Sequence, residues 1–87
     1  MIYRPHPDCV ACEFGDGLAV LDIRTNLYFT LDEVGTAVWS CLSNGVSIDH
    51  IAAKVTEEFD TTPAECAPDI EVLLAQMLER RLVEVDA

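Results

Sequence analysis

Cys9 and Cys12, separated by two residues, form the pattern in this sequence that is most suggestive of chemistry. A Cys-x-x-Cys pair occurs in zinc sites and in redox-active dithiols. A structural zinc site needs four ligands, and the other two cysteines, Cys41 and Cys66, lie far along the chain in separate predicted helices. We therefore expect free thiols, as in reducing compartments, and no bound metal or cofactor. A small metal-binding or thiol-redox protein is the alternative that this pair supports.

Two histidines, His6 and His50, are the other side chains that could take part in catalysis. His6 and the neighbouring Asp8 would add only weak ligands to the cysteine pair, and His50 falls on the polar side of a predicted helix. No serine or cysteine has an evident base partner that would activate it as a nucleophile. The sequence also has no glycine-rich phosphate loop. We expect a protein with no catalytic activity of its own.

Composition and charge narrow the class of protein further. At 87 residues, 51% of them hydrophobic, the chain is expected to fold as one domain over residues 1–87. It has no apolar run of the ~20 residues that a membrane span needs and no apolar signal core, so we expect a cytoplasmic protein without a membrane partner. The net charge is −11, and the five basic residues are Arg4, Arg24, Lys54, Arg80 and Arg81. Because nucleic-acid affinity comes mainly from neutralising phosphates, we expect no nucleic-acid partner.

Three short apolar segments separated by turn residues predict an antiparallel sheet. They are Val10–Phe14, Leu18–Ile23 and Leu27–Leu31. Between the first two, Gly15-Asp16-Gly17 is expected to form a hairpin turn in which Asp-Gly supplies the positive φ, and Asn26 suits the second turn. Residues 1–8, which include two prolines, are expected to form an extended N-terminal arm.

The second half of the chain predicts three helices. Asp32 and Ser47 are suitable N-caps for the first two, each followed by an apolar stripe at helical spacing. The third helix has two possible starts, a capping box at Thr62 or a position near Pro68, and the sequence leaves both open. The expected fold class is α+β, a three-stranded antiparallel β-sheet followed by three α-helices in a winged helix-turn-helix-like arrangement.

The third helix has a wider apolar surface than a single core contact requires. Around Ile70, one flank carries Leu73 and Met77, and the other carries Leu74, Leu78 and Leu82. This arc spans roughly 180°, whereas a helix that covers one core needs a stripe of about 100°. One flank could therefore face a ligand beside the open edge of the sheet. Alternatively, the first two helices wrap both flanks.

The order of these features resembles the PqqD-like family. The resemblance rests on an aromatic strand that leads directly into a helix, at Tyr28, Phe29, Leu31, Asp32, Gly35 and Trp39. Similar second and third helices follow, so it extends over roughly residues 10–85. Asp32 stands where asparagine is common, and Arg81 stands where glycine is common.

This resemblance implies a RiPP recognition element, a domain that binds the leader segment of a ribosomally made precursor peptide and presents it to processing enzymes. The leader is expected to add as a strand to the third strand and to place side chains in a groove against the third helix. Carried over by position, the peptide-binding residues are Leu27, Tyr28, Phe29, Thr30, Leu31, Ile70, Leu73, Leu74, Met77 and Arg81. The implied partner is a leader peptidase acting with a cyclase in lasso-peptide maturation, which we favour, or a radical SAM enzyme in pyrroloquinoline quinone synthesis.

The winged-helix arrangement alone would also suit a DNA-binding regulator. In such a protein the second helix would be the recognition helix. Here it carries Lys54 against Asp49, Glu57 and Glu58, a balance that duplex phosphate would repel. We therefore rank DNA binding below peptide binding.

Overall fold

The computed structural model describes residues 2–42 and 45–86. These form five strands and three helices: β1 (Ile2–Pro5), β2 (Cys9–Phe14), β3 (Gly17–Asp22), β4 (Leu27–Leu31), α1 (Glu33–Leu42), α2 (Ile48–Glu58), α3 (Pro63–Glu79) and β5 (Val83–Asp86). Strands β2, β3 and β4 form an antiparallel sheet in that spatial order, and the three helices follow it. This confirms the predicted α+β fold. No helix within the described ranges is both long and apolar enough to cross a membrane.

A second, two-stranded antiparallel sheet pairs β1 with β5. The segment that the sequence suggests is an extended arm therefore contains a strand, and its partner lies at the other end of the chain. Tyr3 of β1 is buried, and its backbone exchanges two hydrogen bonds with Val46, with N···O distances of 2.7 and 2.9 Å. These contacts anchor β1 beside the start of α2.

The hairpin between β2 and β3 is tighter than the expected three-residue turn. Phe14 pairs directly with Gly17, so the loop has two residues, and Gly15 takes the positive φ of +60° that was expected at Asp-Gly. A glycine at the first of two loop positions is typical of a type II′ turn, whose twist matches that of the strands. Gly17 is needed for another reason, because a Cβ there would overlap the carbonyl oxygen of Leu31 in β4.

The third helix starts at the earlier of its two possible positions. Thr62 is the N-cap, and its side-chain oxygen accepts a hydrogen bond from the Glu65 N–H at 3.3 Å. Pro63 occupies the first turn, where a proline costs nothing. The helix continues through Pro68, which cannot donate to the carbonyl one turn earlier. Ala64, which carries that carbonyl, is exposed to solvent.

The hydrophobic core lies between one face of the three-stranded sheet and the helices. Its fully buried side chains come from β3, from all three helices and from the turn between α3 and β5. They are Val20, Val38, Leu42, Ile51, Val55, Ile70, Leu74 and Leu82. Burying a side chain of this size contributes about 1.5–3 kcal/mol. The cluster fixes the helices against the sheet and leaves α3 alongside β4.

Candidate functional site

β4 is an edge strand of the three-stranded sheet. It pairs with β3 on one side, and within residues 2–42 and 45–86 no strand pairs with its other side. Such an edge presents unpaired backbone N–H and C=O groups that can accept a further strand. The site is built outward from this edge.

The alternation of hydrogen-bonded and non-hydrogen-bonded residue pairs in the sheet identifies which backbone N–H and C=O groups of β4 are free. The two-residue turn makes Phe14 and Gly17 a hydrogen-bonded pair, and at the other end of the hairpin the Ile23 N–H donates to the Asp8 carbonyl at 3.0 Å. Bonded and non-bonded pairs alternate along an antiparallel ladder. β3 therefore bonds to β4 through the pairs Leu18–Leu31, Val20–Phe29 and Asp22–Leu27. It follows that the N–H and C=O groups of Tyr28 and Thr30 point away from the sheet.

A groove runs between β4 and α3, which we call the β4–α3 groove. Its narrow part is a cavity of about 100 Å³. β4 contributes Phe29, Thr30 and Leu31, and α3 contributes Leu73, Gln76 and Met77. Arg80, the C-cap of α3, and Leu82 complete the lining. The helical residues recur at i, i+3, i+4 and i+7, which is the spacing of one helix face. This arrangement gives the groove an apolar floor and polar positions along its rim.

The two ends of the β4–α3 groove differ. At one end the Arg80 guanidinium lies over the Phe29 ring, 5.2 Å from its centroid, and closes the groove. At the other end the groove continues past Leu31 and Leu73 into a cavity of about 690 Å³ beside the β2–β3 turn. Acidic side chains lie around that wider cavity, at Asp16, Asp32 and Glu33.

The structure separates the predicted site residues into two groups. The five residues of β4 lie at the edge, and Leu73 is half-buried on the groove wall. Ile70 and Leu74 are 1% exposed and belong to the core, and Met77, 2% exposed, borders the cavity from below. The flank of α3 that faces the groove is thus the one carrying Leu73 and Met77.

Three residues outside the predicted set line the groove, namely Gln76, Arg80 and Leu82. Their spacing from Leu73 would have placed the first two on the same helical face. Arg81 lies beyond the end of α3, with its side chain exposed and its backbone at a φ of +60°. The cation beside the groove is therefore Arg80.

A polar cluster, here called the hub, joins three loops near the closed end of the groove. Asp22 is 3% exposed, and Arg24 donates to its carboxylate from Nε (2.9 Å) and Nη2 (3.1 Å). Nη2 also donates to the Arg81 carbonyl at 2.8 Å, and Nη1 lies 3.0 Å from Nε2 of His6. The hydrogen bonds from Arg24 hold the pKa of the Asp22 carboxyl below its usual value.

The cysteine pair is not arranged as a dithiol or a metal knuckle. Cys9 and Cys12 are three residues apart on β2, so they point to opposite faces of the sheet. Burial raises the pKa of the Cys9 thiol, which disfavours a reactive thiolate. In the part of the chain that the structure describes, no three His, Cys, Asp or Glu side chains are placed to hold a metal ion.

The face of the sheet turned away from the helices, here called the outer face, is apolar. Val10, Phe14 and Tyr28 lie on it and are 53%, 63% and 64% exposed. Cys12 lies between them and is also exposed, so it is not a core residue. The outer face reaches the β4 edge at Tyr28 and Thr30.

The second helix carries mostly acidic side chains among its exposed charged residues. Asp49, Glu57 and Glu58 are exposed on α2, and its lysine, Lys54, lies 3.6 Å from the Glu57 carboxylate. The exposed face of α2 is therefore acidic, which opposes nucleic-acid binding.

Comparison with known proteins gives one family and two similar structures. The family described as Coenzyme PQQ synthesis protein D (PqqD) matches residues 17–83. The structure of TbiB1 in complex with the TbiA(beta) leader peptide is similar with a TM-score of 0.85 and 25% sequence identity, covering 97% of this chain and 98% of that one. The lasso peptide synthetase B1 complexed with the leader peptide shares the fold, with a TM-score of 0.82, 22% identity and coverage of 95% and 98%. No curated protein sequence matches significantly.

Proposed function

This chain belongs to the PqqD family, and on that basis we propose that it binds the leader peptide of a ribosomally synthesised precursor and delivers it to processing enzymes. The observation that carries the proposal is the unpaired β4 edge beside the β4–α3 groove. Tyr28 and Thr30 direct their backbone groups to the position where a further strand would lie. A leader strand added there would extend the sheet to four strands.

Side-chain alternation explains how such a strand would be recognised. Successive side chains of a strand point to opposite faces of the sheet. Every second leader side chain would enter the β4–α3 groove on the side of Phe29 and Leu31 and pack on Leu73 and Met77. The others would lie beside Tyr28 on the outer face.

The remaining predicted site residues have supporting roles in this proposal. Ile70 and Leu74 would hold the groove wall from behind, since both are buried in the core. Arg80 and Arg81 would attract leader carboxylates and mainly raise the association rate, because charges at an interface rim steer encounter more than they add affinity. Leu27, 56% exposed, would cover the end of the added strand.

The protein would act without catalysing a reaction itself, by presenting the leader to an enzyme. We favour a leader peptidase of lasso-peptide maturation, because a lasso peptide synthetase B1, solved with a leader peptide, shares the fold over 95% of this chain. The alternative is a radical SAM enzyme of pyrroloquinoline quinone synthesis, which the family description supports. Neighbouring genes for a short peptide, a protease and a cyclase would separate the two settings.

A proline scan of the two sheet edges tests the proposal. Thr30→Pro removes an outward N–H from β4 and places a ring where the leader backbone would approach. The matched control is Glu13→Pro, because the Glu13 N–H points outward from the opposite edge, β2. The probes are the leader encoded beside this chain and the TbiA(beta) leader peptide.

Calorimetry should show that Thr30→Pro weakens leader binding about tenfold or more, corresponding to about 1.4 kcal/mol. Glu13→Pro should leave the affinity within about twofold. Circular dichroism should show both variants folded. Equal affinity of the two folded variants would exclude the β4 edge, and failure of the wild-type protein to bind either leader would exclude the function.

A further inference from the structure

The hub connects the two walls of the β4–α3 groove. Arg24 lies in the β3–β4 turn, three residues before β4 begins at Leu27. Its Nη2 donates to the Arg81 carbonyl at 2.8 Å, in the turn that follows α3. The neighbours of Arg81 in the chain, Arg80 and Leu82, both line the groove. One guanidinium therefore links the start of one groove wall to the end of the other.

The position of that guanidinium is fixed by the residue it pairs with. Asp22 accepts the Nε and Nη2 hydrogens of Arg24 on its two carboxylate oxygens, and the Arg24 backbone N–H also donates to Oδ1 at 3.0 Å. This two-point pairing orients a planar guanidinium more tightly than a single contact does. Asp22 belongs to β3 and is buried, so the fork is held against the sheet.

The turn on the other side of the link is supported by Arg24 together with other contacts, including the His6 N–H, which donates to the Leu82 carbonyl at 2.9 Å. Arg81 has a φ of +60°, in the left-handed region that normally favours glycine at the end of a helix. The N–H of Arg81 donates to Leu78 (3.0 Å) and that of Leu82 to Met77 (2.9 Å), which closes the helix end. The Arg24 contact captures the Arg81 carbonyl and so helps to fix Arg80 over Phe29.

The two ends of the β4–α3 groove differ in volume, and the link lies at the narrow end. The narrow cavity of about 100 Å³ lies at the end that Arg24 ties, and the cavity of about 690 Å³ lies at the end without such a tie. Both cavities are lined by Thr30, Leu31 and Leu73, so they lie next to each other along the groove.

We propose that Arg24 is a positioning residue that sets the width of the closed end of the β4–α3 groove and thereby limits the size of the peptide side chain accepted there. The inference rests on the proposed function, since it concerns the same groove. Arg24 does not itself line the cavity; it acts through the Arg81 carbonyl. The size of the peptide side chains accepted at the open end of the groove does not depend on Arg24.

A size series distinguishes this role from a general loss of structure. The probe is the synthetic leader encoded beside this chain, with each apolar position replaced in turn by alanine, leucine or phenylalanine. Binding is measured to the wild-type protein, to Arg24→Gln and to the double variant Asp22→Asn/Arg24→Gln. The double variant serves if Arg24→Gln does not fold, because it leaves no unpaired carboxylate at the hub. Lys54→Gln is the control, since it removes the same charge from an exposed pair on α2.

In the wild-type protein and in Lys54→Gln, one leader position should prefer leucine over phenylalanine about tenfold, corresponding to about 1.4 kcal/mol. In the Arg24 variants the preference at that position should fall below about threefold, while the other positions keep their ranking. A merely structural role would lower all affinities and leave every ranking unchanged, and that result would overturn the inference. A wild-type ranking without size dependence at any position would also overturn it. Absence of wild-type binding would instead reject the proposed function.

Discussion

At the scale of single residues, one buried carboxylate owes its charge to a neighbouring arginine. The charged residue buried in β3, Asp22, depends on Arg24, and the hydrogen bonds from Arg24 lower the pKa of its carboxyl. A carboxyl whose pKa is lower in the folded state than in the unfolded chain stabilises the fold above the unfolded pKa, near pH 4 for aspartate. That contribution is lost as the pH falls through the lower, folded value.

An acid titration of Asp22→Asn checks this linkage. The variant should be less stable than the wild-type protein at pH 7, and the difference should shrink as the pH falls below about 4. The control is Asp86→Asn, which breaks the exposed pair between Asp86 and Arg4 and should change stability little at any pH. Urea unfolding at a series of pH values measures all three proteins. A difference that is constant between pH 7 and pH 2 would show that the Asp22 charge is not what stabilises the hub.

Among the elements, α3 carries two adjacent leucines with different surroundings. Leu73 is half-buried on the groove wall, and Leu74 is 1% exposed in the core. Leu74→Ala should destabilise the protein by about 2–5 kcal/mol, because it opens a cavity that the neighbours cannot fill. Leu73→Ala should cost much less stability but weaken leader binding by about tenfold, as expected when a binding anchor is lost. Thermal melts measure the stability of both variants, and calorimetry on the same samples measures their affinity for the leader. A loss of affinity confined to Leu74→Ala would contradict the assignment of Leu73 to the binding surface.

The elements differ in how far the sequence predicts them. β4 has the predicted bounds, and α3 begins at the Thr62 capping box, one of the two starts that the sequence left open, because strand alternation and capping are local signals. The pairing of β1 with β5 was not predicted, since both strands are short and lie at opposite ends of the chain. The apolar arc of α3 also could not show that Ile70 and Leu74 are core residues while Leu73 borders the groove. That distinction depends on how the sheet and helices pack, which periodicity does not report.

At the scale of the whole molecule, the protein combines a net charge of −11 with a sheet that has an unpaired β4 edge and an apolar outer face. Mutual repulsion of like-charged molecules keeps such surfaces apart at neutral pH. The exposed face of α2, which would be the recognition helix in a DNA-binding protein of similar arrangement, is acidic.

The unpaired β4 edge makes the empty protein prone to aggregation, because an exposed strand is a template for other chains. Near the sequence pI of about 4.2 the repulsion disappears, and light scattering should rise with protein concentration. Bound leader should suppress this rise in scattering at any pH where the leader still binds. Without leader, Thr30→Pro should also suppress the rise in scattering, and Glu13→Pro should suppress it less. Equal scattering from the two variants would show that self-association does not take place through the β4 edge. If scattering follows the β4 edge, the bound leader has a second effect, protection of the protein from self-association in acid, where the charge of −11 no longer provides it.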